Sequence, residues 1–254
     1  MSKQTTWVTG HHAVNAVLEY SPQRSIALWV VLNPNNSVLN ELIGRAKSLG
    51  IVVHSLDKKQ LAKRTGTDQH QSIALEVTPK QDGSERDLAS FVDNFPCHKE
   101  LLFLVLDQVQ DPHNFGACLR TADAAGAHGV IVAKDNASPM TPVVQKVASG
   151  AAETMPIFRV TNLSRSLDSL RQQGVWVIGT SDKATNSIFA ANLSGPMALV
   201  MGAEGKGMRR LTEKKCDSLV SLPMAGSIVS SLNVSVATGV CLYEIVRQRS
   251  VGRT

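Results

Sequence analysis

Cysteine is the first shortage in this chain: there are four in 254 residues, Cys97, Cys118, Cys216 and Cys241, all far apart and none in a C-x-x-C pair. That spacing argues against a zinc ribbon and a disulfide framework, so reduced thiols and no metal centre are expected. Aromatic residues make up only 4% of the sequence, which argues against a protein that grips single-stranded nucleic acid mainly by stacking bases. No apolar run approaches the roughly eighteen residues of a membrane span, and Met1-Ser2-Lys3-Gln4-Thr5-Thr6 lacks the apolar centre of a signal peptide. A cytoplasmic protein with no membrane partner is the expectation.

Hydrophobic residues reach 43%, ample for one large core or two smaller ones, and a net charge of +5 with a pI near 9.1 favours an anionic partner such as nucleic acid. The first part alternates helix signals at 12–20, 38–49 and a basic 58–64 with strand signals at 26–32, 51–55 and 72–77. This predicts a small α/β domain over residues 1–77. The stretch Thr78-Pro79-Lys80-Gln81-Asp82-Gly83-Ser84-Glu85-Arg86 is polar and breaks the apolar period, so 78–98 reads as a linker. Beyond it, apolar runs at 101–106, 130–132, 175–178, 198–201 and 219–222 alternate with helical stretches at 115–125, 142–150, 163–173, 208–215 and 234–247. Continuous apolar runs mark strands covered on both faces, and their alternation with helices predicts a doubly wound parallel α/β domain over 99–254. Ligands in such domains sit beyond the carboxyl ends of the strands.

Three strand ends carry unusual loops. After 101–106 come Asp107-Gln108-Val109-Gln110-Asp111-Pro112-His113-Asn114-Phe115-Gly116 and a helix bearing Arg120. Asn114 and Arg120 lie about 120° apart on an ideal helix, so they share a site only if Asn114 is at or before the helix start. The plain alternative makes Asn114 an N-cap and Arg120 a surface residue. After 198–201, Gly202-Ala203-Glu204-Gly205-Lys206-Gly207-Met208 holds three glycines in six residues, where the backbone can take positive φ and come close to a ligand. It lacks the Ser or Thr of a Walker A loop and the glycine order of a dinucleotide fingerprint, which excludes both. After 219–222, Pro223-Met224-Ala225-Gly226-Ser227 leads to Ser230-Ser231-Leu232-Asn233-Val234-Ser235 at the head of the last helix. A helix needs one cap, and the surplus hydroxyls and amide point to a site. Together the loops predict a composite pocket of an amide, a guanidinium, a carboxylate, hydroxyls and bare backbone.

In this order, Asn114 to Arg120, Leu199-Val200-Met201-Gly202-Ala203-Glu204-Gly205, and Leu222-Pro223-Met224 to Leu232-Asn233-Val234-Ser235 resemble the three motifs of the SpoU family of RNA ribose 2′-O-methyltransferases. Gly10-His11-His12-Ala13-Val14, His70-Gln71-Ser72-Ile73 and Cys118-Leu119-Arg120-Thr121-Ala122-Asp123-Ala124-Ala125-Gly126 extend the resemblance over nearly the whole chain. They are most similar to members that methylate a guanosine ribose in 23S ribosomal RNA. The resemblance implies a catalytic domain with a deep trefoil knot that binds S-adenosylmethionine, and a homodimer formed through that domain. It also implies a small N-terminal RNA-binding domain like the ribosomal L30e proteins. Position by position, it implies catalytic roles for Asn114, Arg120, Glu204, Ser231 and Asn233, and cofactor contacts near Thr180, Gly202, Leu222, Met224 and Leu232. One departure is that Ser227-Ile228-Val229-Ser230 places four residues between the glycine and Ser231-Leu232-Asn233, where the family usually has three.

Methyl transfer to a ribose oxygen needs an in-line approach, so holding the reactants in near-attack geometry can supply roughly 7–11 kcal/mol. The family proposal gives the 2′-OH proton to the arginine matching Arg120, yet a guanidinium is almost always charged. Two variants follow: an RNA phosphate helps Arg120 accept the proton, or Arg120 stays cationic and stabilises the developing alkoxide. In the N-terminal part, Lys58, Lys59, Lys63, Arg64 and His11 are expected to contact RNA phosphates, with a solvated basic face as the plain alternative. A non-catalytic RNA-binding protein of the same fold and a methyltransferase of transfer RNA remain the competing readings.

Overall fold

The computed structural model describes residues 5–251. In chain order it runs β1 (Thr6–Thr9), α1 (His11–Tyr20), β2 (Ser25–Val30), α2 (Ser37–Ser48), β3 (Val52–Ser55), α3 (Lys58–Thr65), β4 (Ile73–Val77) and α4 (Glu85–Asp93). There follow β5 (Leu102–Asp107), α5 (Pro112–Ala124), β6 (Gly129–Ala133), α6 (Pro142–Val147), α7 (Ala151–Thr154), β7 (Ile157–Val160) and α8 (Leu163–Gln172). The chain ends with β8 (Trp176–Thr180), β9 (Met197–Gly202), α9 (Arg210–Glu213), β10 (Ser218–Val220) and α10 (Val234–Val251).

Two compact units result. One reaches to Gln81 and also takes in Met140–Thr154; the other holds Asp82–Pro139 and the segment from Met155 onward. In the first, a four-stranded mixed sheet of order β1-β4-β2-β3 packs Val8, Leu28, Val30, Leu75 and Val77 against Val14 and Val17 of α1 and Leu39 and Leu42 of α2. The excursion Met140–Thr154 is held there by Glu153, whose buried carboxylate pairs with Arg24 at 2.5 Å, and by Lys80, which donates to the Ala152 and Glu153 carbonyls. The stretch 78–98, read as a linker, instead contains α4. Ser84 and Asp87 form a capping box there, and Leu88 and Val92 are buried in the core of the second unit.

The second unit is built on a six-stranded sheet of order β10-β8-β9-β5-β6-β7, parallel throughout. All six residues of β5 are buried, as its unbroken apolar run requires of a central strand. Burying Phe103, Leu104 and Leu106 in full contributes about 1.5–3 kcal/mol each. From β5 the chain steps outward through β6 to β7, then crosses to the other half for β8, β9 and β10. The reversal lies beside β5 and β9, where α/β sheets open a crevice for ligands.

α10 closes the unit, and its side chains clamp the segment before β9. Gln248 Nε2 donates to the Ala191 carbonyl at 3.0 Å, its Oε1 accepts from the Leu193 N–H at 2.9 Å, and Glu244 accepts from Arg247 and Gln248 at 2.7–2.8 Å. The hydrogen bonds from Arg247, then Gln248, lower the Glu244 carboxyl from 4.5 to about 2. A depressed carboxyl stabilises the fold at pH above its unfolded value, and that contribution fades as pH falls through 4.5 towards about 2. Melting temperature followed across that window is therefore expected to drop less steeply in Glu244→Gln than in the wild type.

Candidate active site

The head of α5 decides where Asn114 points. Asp111 is the N-cap, its carboxylate accepting from the Asn114 N–H at 2.8 Å, and Pro112 fills the first helical position, where its missing N–H costs nothing. Because Asp111 rather than Asn114 does the capping, the Asn114 side chain is free to reach other loops. Its Nδ2 donates to Glu204 Oε2 at 3.5 Å, while Asn233 Nδ2 donates to Asn114 Oδ1 at 3.0 Å and to Glu204 Oε2 at 3.4 Å. Asn233 is oriented in turn by Ser235, whose N–H and Oγ donate to Asn233 Oδ1 at 3.0 and 2.7 Å. With its oxygen so engaged, the Asn233 amide must aim its NH2 at Asn114 and Glu204. Ser235 stands in the motif read from the sequence but had no role assigned there; the signal for one is the two-residue spacing of a side-chain-capped turn.

The glycine loop folds on itself. Ala203 and Gly207 exchange backbone hydrogen bonds at 3.0 and 2.8 Å. A Cβ on Gly202 would lie 2.2 Å from the Gly207 and Met208 backbone, so the loop's own packing requires glycine there. Gly205 and Gly207 do take positive φ, 74° and 66°, with open space where a side chain would be. The loop is tethered by a pair that sequence alone did not reveal: the buried Asp107 carboxylate accepts from the Arg209 N–H at 2.8 Å and from Arg209 Nε at 2.7 Å. An acid ending an apolar strand was the available clue.

Two clefts meet at Glu204. The first, of about 280 Å³, is lined by Thr180, Gly202, Leu222, Met224, Ser231 and Leu232 among others; the second, of about 250 Å³, by Gln108, Gln110, Asp111 and Asn114. Ala203, Glu204, Lys206 and Val234 border both. Thr180 Oγ1 donates to the Val200 carbonyl at 3.2 Å, which turns the hydroxyl into the sheet. The backbone N–H groups of Leu222, Met224 and Leu232 have no hydrogen-bond partner among the described residues, and they stand beside the apolar side chains of Met201, Met224 and Val234. Bare amides against apolar walls fit S-adenosylmethionine, whose adenine needs both an edge partner and apolar cover. At the tip of the third loop Ile228 is 94% exposed, while Leu222 and Met224 before it and Ser230, Ser231 and Leu232 after it line the cleft.

Residues 101–243, which contain all three loops, match the model of the SpoU rRNA methylase family. The chain belongs to that family. Residues 7–83 match the model for RNA 2′-O ribose methyltransferase substrate binding. Among curated relatives, the 23S rRNA (guanosine-2′-O-)-methyltransferase RlmB of Haemophilus influenzae is 52% identical over 98% of this chain and 99% of its own. The protein of the same name from Shewanella oneidensis is 50% identical with the same coverage. Among solved structures, the SpoU methyltransferase AviRb of Streptomyces viridochromogenes in complex with AdoMet superposes with a TM-score of 0.81 at 25% identity, covering 98% of this chain and 92% of that one.

Of the five motif residues of this SpoU chain, the structure joins Asn114, Glu204 and Asn233. Ser231 lines the first cleft without bonding to that cluster. Arg120 is not brought in. Since Asn114 already lies in the first turn of α5, six further residues rotate Arg120 about 120° away, and it is exposed and lines neither cleft. Its face of α5 also carries His113, Ala117 and Ala124.

In the first unit Lys58, Lys59, Lys63 and Arg64 are all exposed on α3 and form no ion pair among the described residues. His11 instead opens α1. Its backbone N–H donates to Gln71 Oε1 at 3.1 Å, its ring Nε2 is shielded from solvent, and burial, then His12, hold its pKa below the usual 6.5.

Proposed function

We propose that this SpoU chain transfers the methyl group of S-adenosylmethionine to the ribose 2′-OH of a guanosine in 23S ribosomal RNA. The observation that carries this reading is the cluster of Asn114, Glu204 and Asn233 standing where two clefts meet, in a chain half identical over its full length to enzymes named for that reaction. The cofactor supplies an electrophilic methyl group on a positively charged sulfur. The first cleft holds it through backbone groups at Thr180, Gly202, Leu222, Met224 and Leu232. The second cleft takes the acceptor nucleotide, which brings the ribose oxygen to the border residues Glu204 and Val234. Asn114, Glu204 and Asn233 hold one another in place and so position the acceptor; Ser231 closes the mouth of the first cleft. Positioning of this kind supplies roughly 7–11 kcal/mol, leaving the developing alkoxide to be stabilised by a cation.

Arg120 is that cation, reached through a homodimer. Up to Ile245, α10 is apolar on opposite sides: Cys241, Leu242 and Ile245 are buried, yet Val236 and Tyr243 across the helix are 53% and 52% exposed. A helix segment apolar on two opposite faces is one expected to be covered on both. α5 packs alongside it, with Cys118 Sγ 3.6 Å from Thr238 Oγ1. A second copy seated on this face of the C-terminal domain covers Val236 and Tyr243 and receives Arg120. The path of the chain after β10, past the glycine loop to α10 and back onto α5, supports a deep trefoil knot in the catalytic domain of 99–254. The mixed-sheet unit of residues 1–77 is read as an L30e-like grip on the RNA. With ribosomal RNA as the substrate, the protein is read as cytoplasmic.

Tritium transfer from labelled S-adenosylmethionine to total cellular RNA tests the reading. Label in 23S RNA, recovered as 2′-O-methylguanosine, is expected. Label confined to transfer RNA would replace the substrate, and no label despite binding of RNA and cofactor would leave a non-catalytic RNA-binding protein.

A further inference from the structure

Although aromatic residues are scarce, two of the three tryptophans lie on one face of the first unit's sheet. Strand pairing generates two rows across that face, Trp7-Glu76-Ala27-Val52 and Thr9-Ala74-Trp29-His54. The alternate residues Val8, Leu28, Val30, Leu75 and Val77 point the other way into the core. Trp29 is the hub. Its ring stacks on His54 at 4.2 Å with the planes 26° apart, Trp7 meets it edge-on at 6.3 Å, and the Arg64 guanidinium lies 4.0 Å from its centre. His54 and Arg64 are both exposed, and Val52 beside them is 57% exposed. The helix that delivers Arg64 also carries Lys58, Lys59 and Lys63 without ion-pair partners among the described residues, against the carboxylates of Glu76 on the sheet face and Asp57 at the α3 cap.

We propose that the array of His54, Trp29 and Arg64 is a stacking platform for unpaired RNA nucleotides, with the lysines of α3 tracking the adjoining phosphates. This rests on the reading of the chain as an RNA methyltransferase and specifies which RNA its first unit grips. A planar guanidinium lying over an indole adds a cationic surface to the aromatic one, and bases stack on such planes only where they are free of pairing. Duplex RNA hides its base faces and offers a regular backbone, to which a rigid aromatic step adds nothing. The predicted partner is therefore a loop or bulge, not a helix.

Binding of the full-length protein to an oligouridylate, and to the same strand annealed to oligoadenylate, tests this by titration. The wild type is expected to favour the single strand. Arg64→Lys keeps the charge and removes the plane, and with His54→Ala it should weaken single-strand binding about ten-fold, the scale of one lost base stack. Duplex binding and the salt slope should remain within about one cation of the wild type. The triple variant Lys58→Ala, Lys59→Ala, Lys63→Ala should instead lower the slope of both by about two to three. Both residues are exposed, so an unchanged melting temperature is expected and verifies the fold. Unaltered single-strand affinity in Arg64→Lys/His54→Ala, or equal wild-type affinity for strand and duplex, would overturn the platform. Methylation of 23S RNA by the wild type is scored separately, so a failed platform and a failed assignment of the reaction give different results.

Discussion

Replacing Arg120 with alanine is expected to reduce methyl transfer to 23S RNA by about 10²–10³, the cost of removing one preorganised charge from a developing oxyanion, while calorimetric affinity for S-adenosylmethionine stays at the wild-type value. The separation follows from geometry, because Arg120 lines neither cleft of its own chain and the cofactor's proposed contacts come from other loops. On the proposed reading, a residue that stands apart from its own pocket acts on another copy's. An equal mixture of Arg120→Ala and Asn233→Ala chains, reassociated after dissociation, distinguishes the two arrangements. If Arg120 works across the dimer, half of the dimers are mixed and each carries one intact site, so about a quarter of wild-type activity returns. If it works within its own chain, no intact site forms and the mixture stays inactive. Val236→Asp with Tyr243→Asp should give monomers by sedimentation, with activity lost and cofactor binding kept; active monomers would refute the role of the dimer.

How far the sequence led depends on how many partners each feature needs. The inner strands were legible because burial on both faces demands unbroken apolar runs, and β5, β6, β8 and β9 fall within a residue or two of those runs. β1 and β7 were not: each has four residues, and β7 includes Arg159, tolerated there because Asp82 binds it at 2.6 Å. α4 was hidden by the polar composition around Pro79 and Gly83, although the Ser84 and Asp87 capping pair was present as a signal. The helix expected over 142–150 stops at Val147, because Ser149 and Gly150 take positive φ, and α7 follows beyond the expected span. At the site, the three loops were recognisable one by one, whereas the direction of Arg120 depends on where α5 begins. The pairing of Trp29 with His54 depends on strand register, which neither segment encodes locally.

Asp107→Ala is expected to damage the cofactor cleft without touching it. The carboxylate is fully buried and holds both the backbone N–H and Nε of Arg209, the residue that follows the glycine loop. Removing one partner of a buried ion pair costs about 3–5 kcal/mol, but the Arg209 side chain is 39% exposed and water can take over part of its bonding, so a loss near 2 kcal/mol is expected. At about 2–4 °C per kcal/mol for a chain of this size, melting falls by roughly 4–8 °C. The same release frees residues 203–208 to leave the positions that border both clefts, and affinity for S-adenosylmethionine should drop by about ten-fold or more, in proportion to that loss. Asp107→Asn retains one oxygen for Arg209 but turns an NH2 towards a donor, so it should fall between the wild type and alanine in both measurements. A lowered melting temperature with undiminished cofactor affinity would show that the tether supports the sheet alone. A parallel decline in both would make Asp107 the residue through which strand β5 holds the glycine loop against the cofactor.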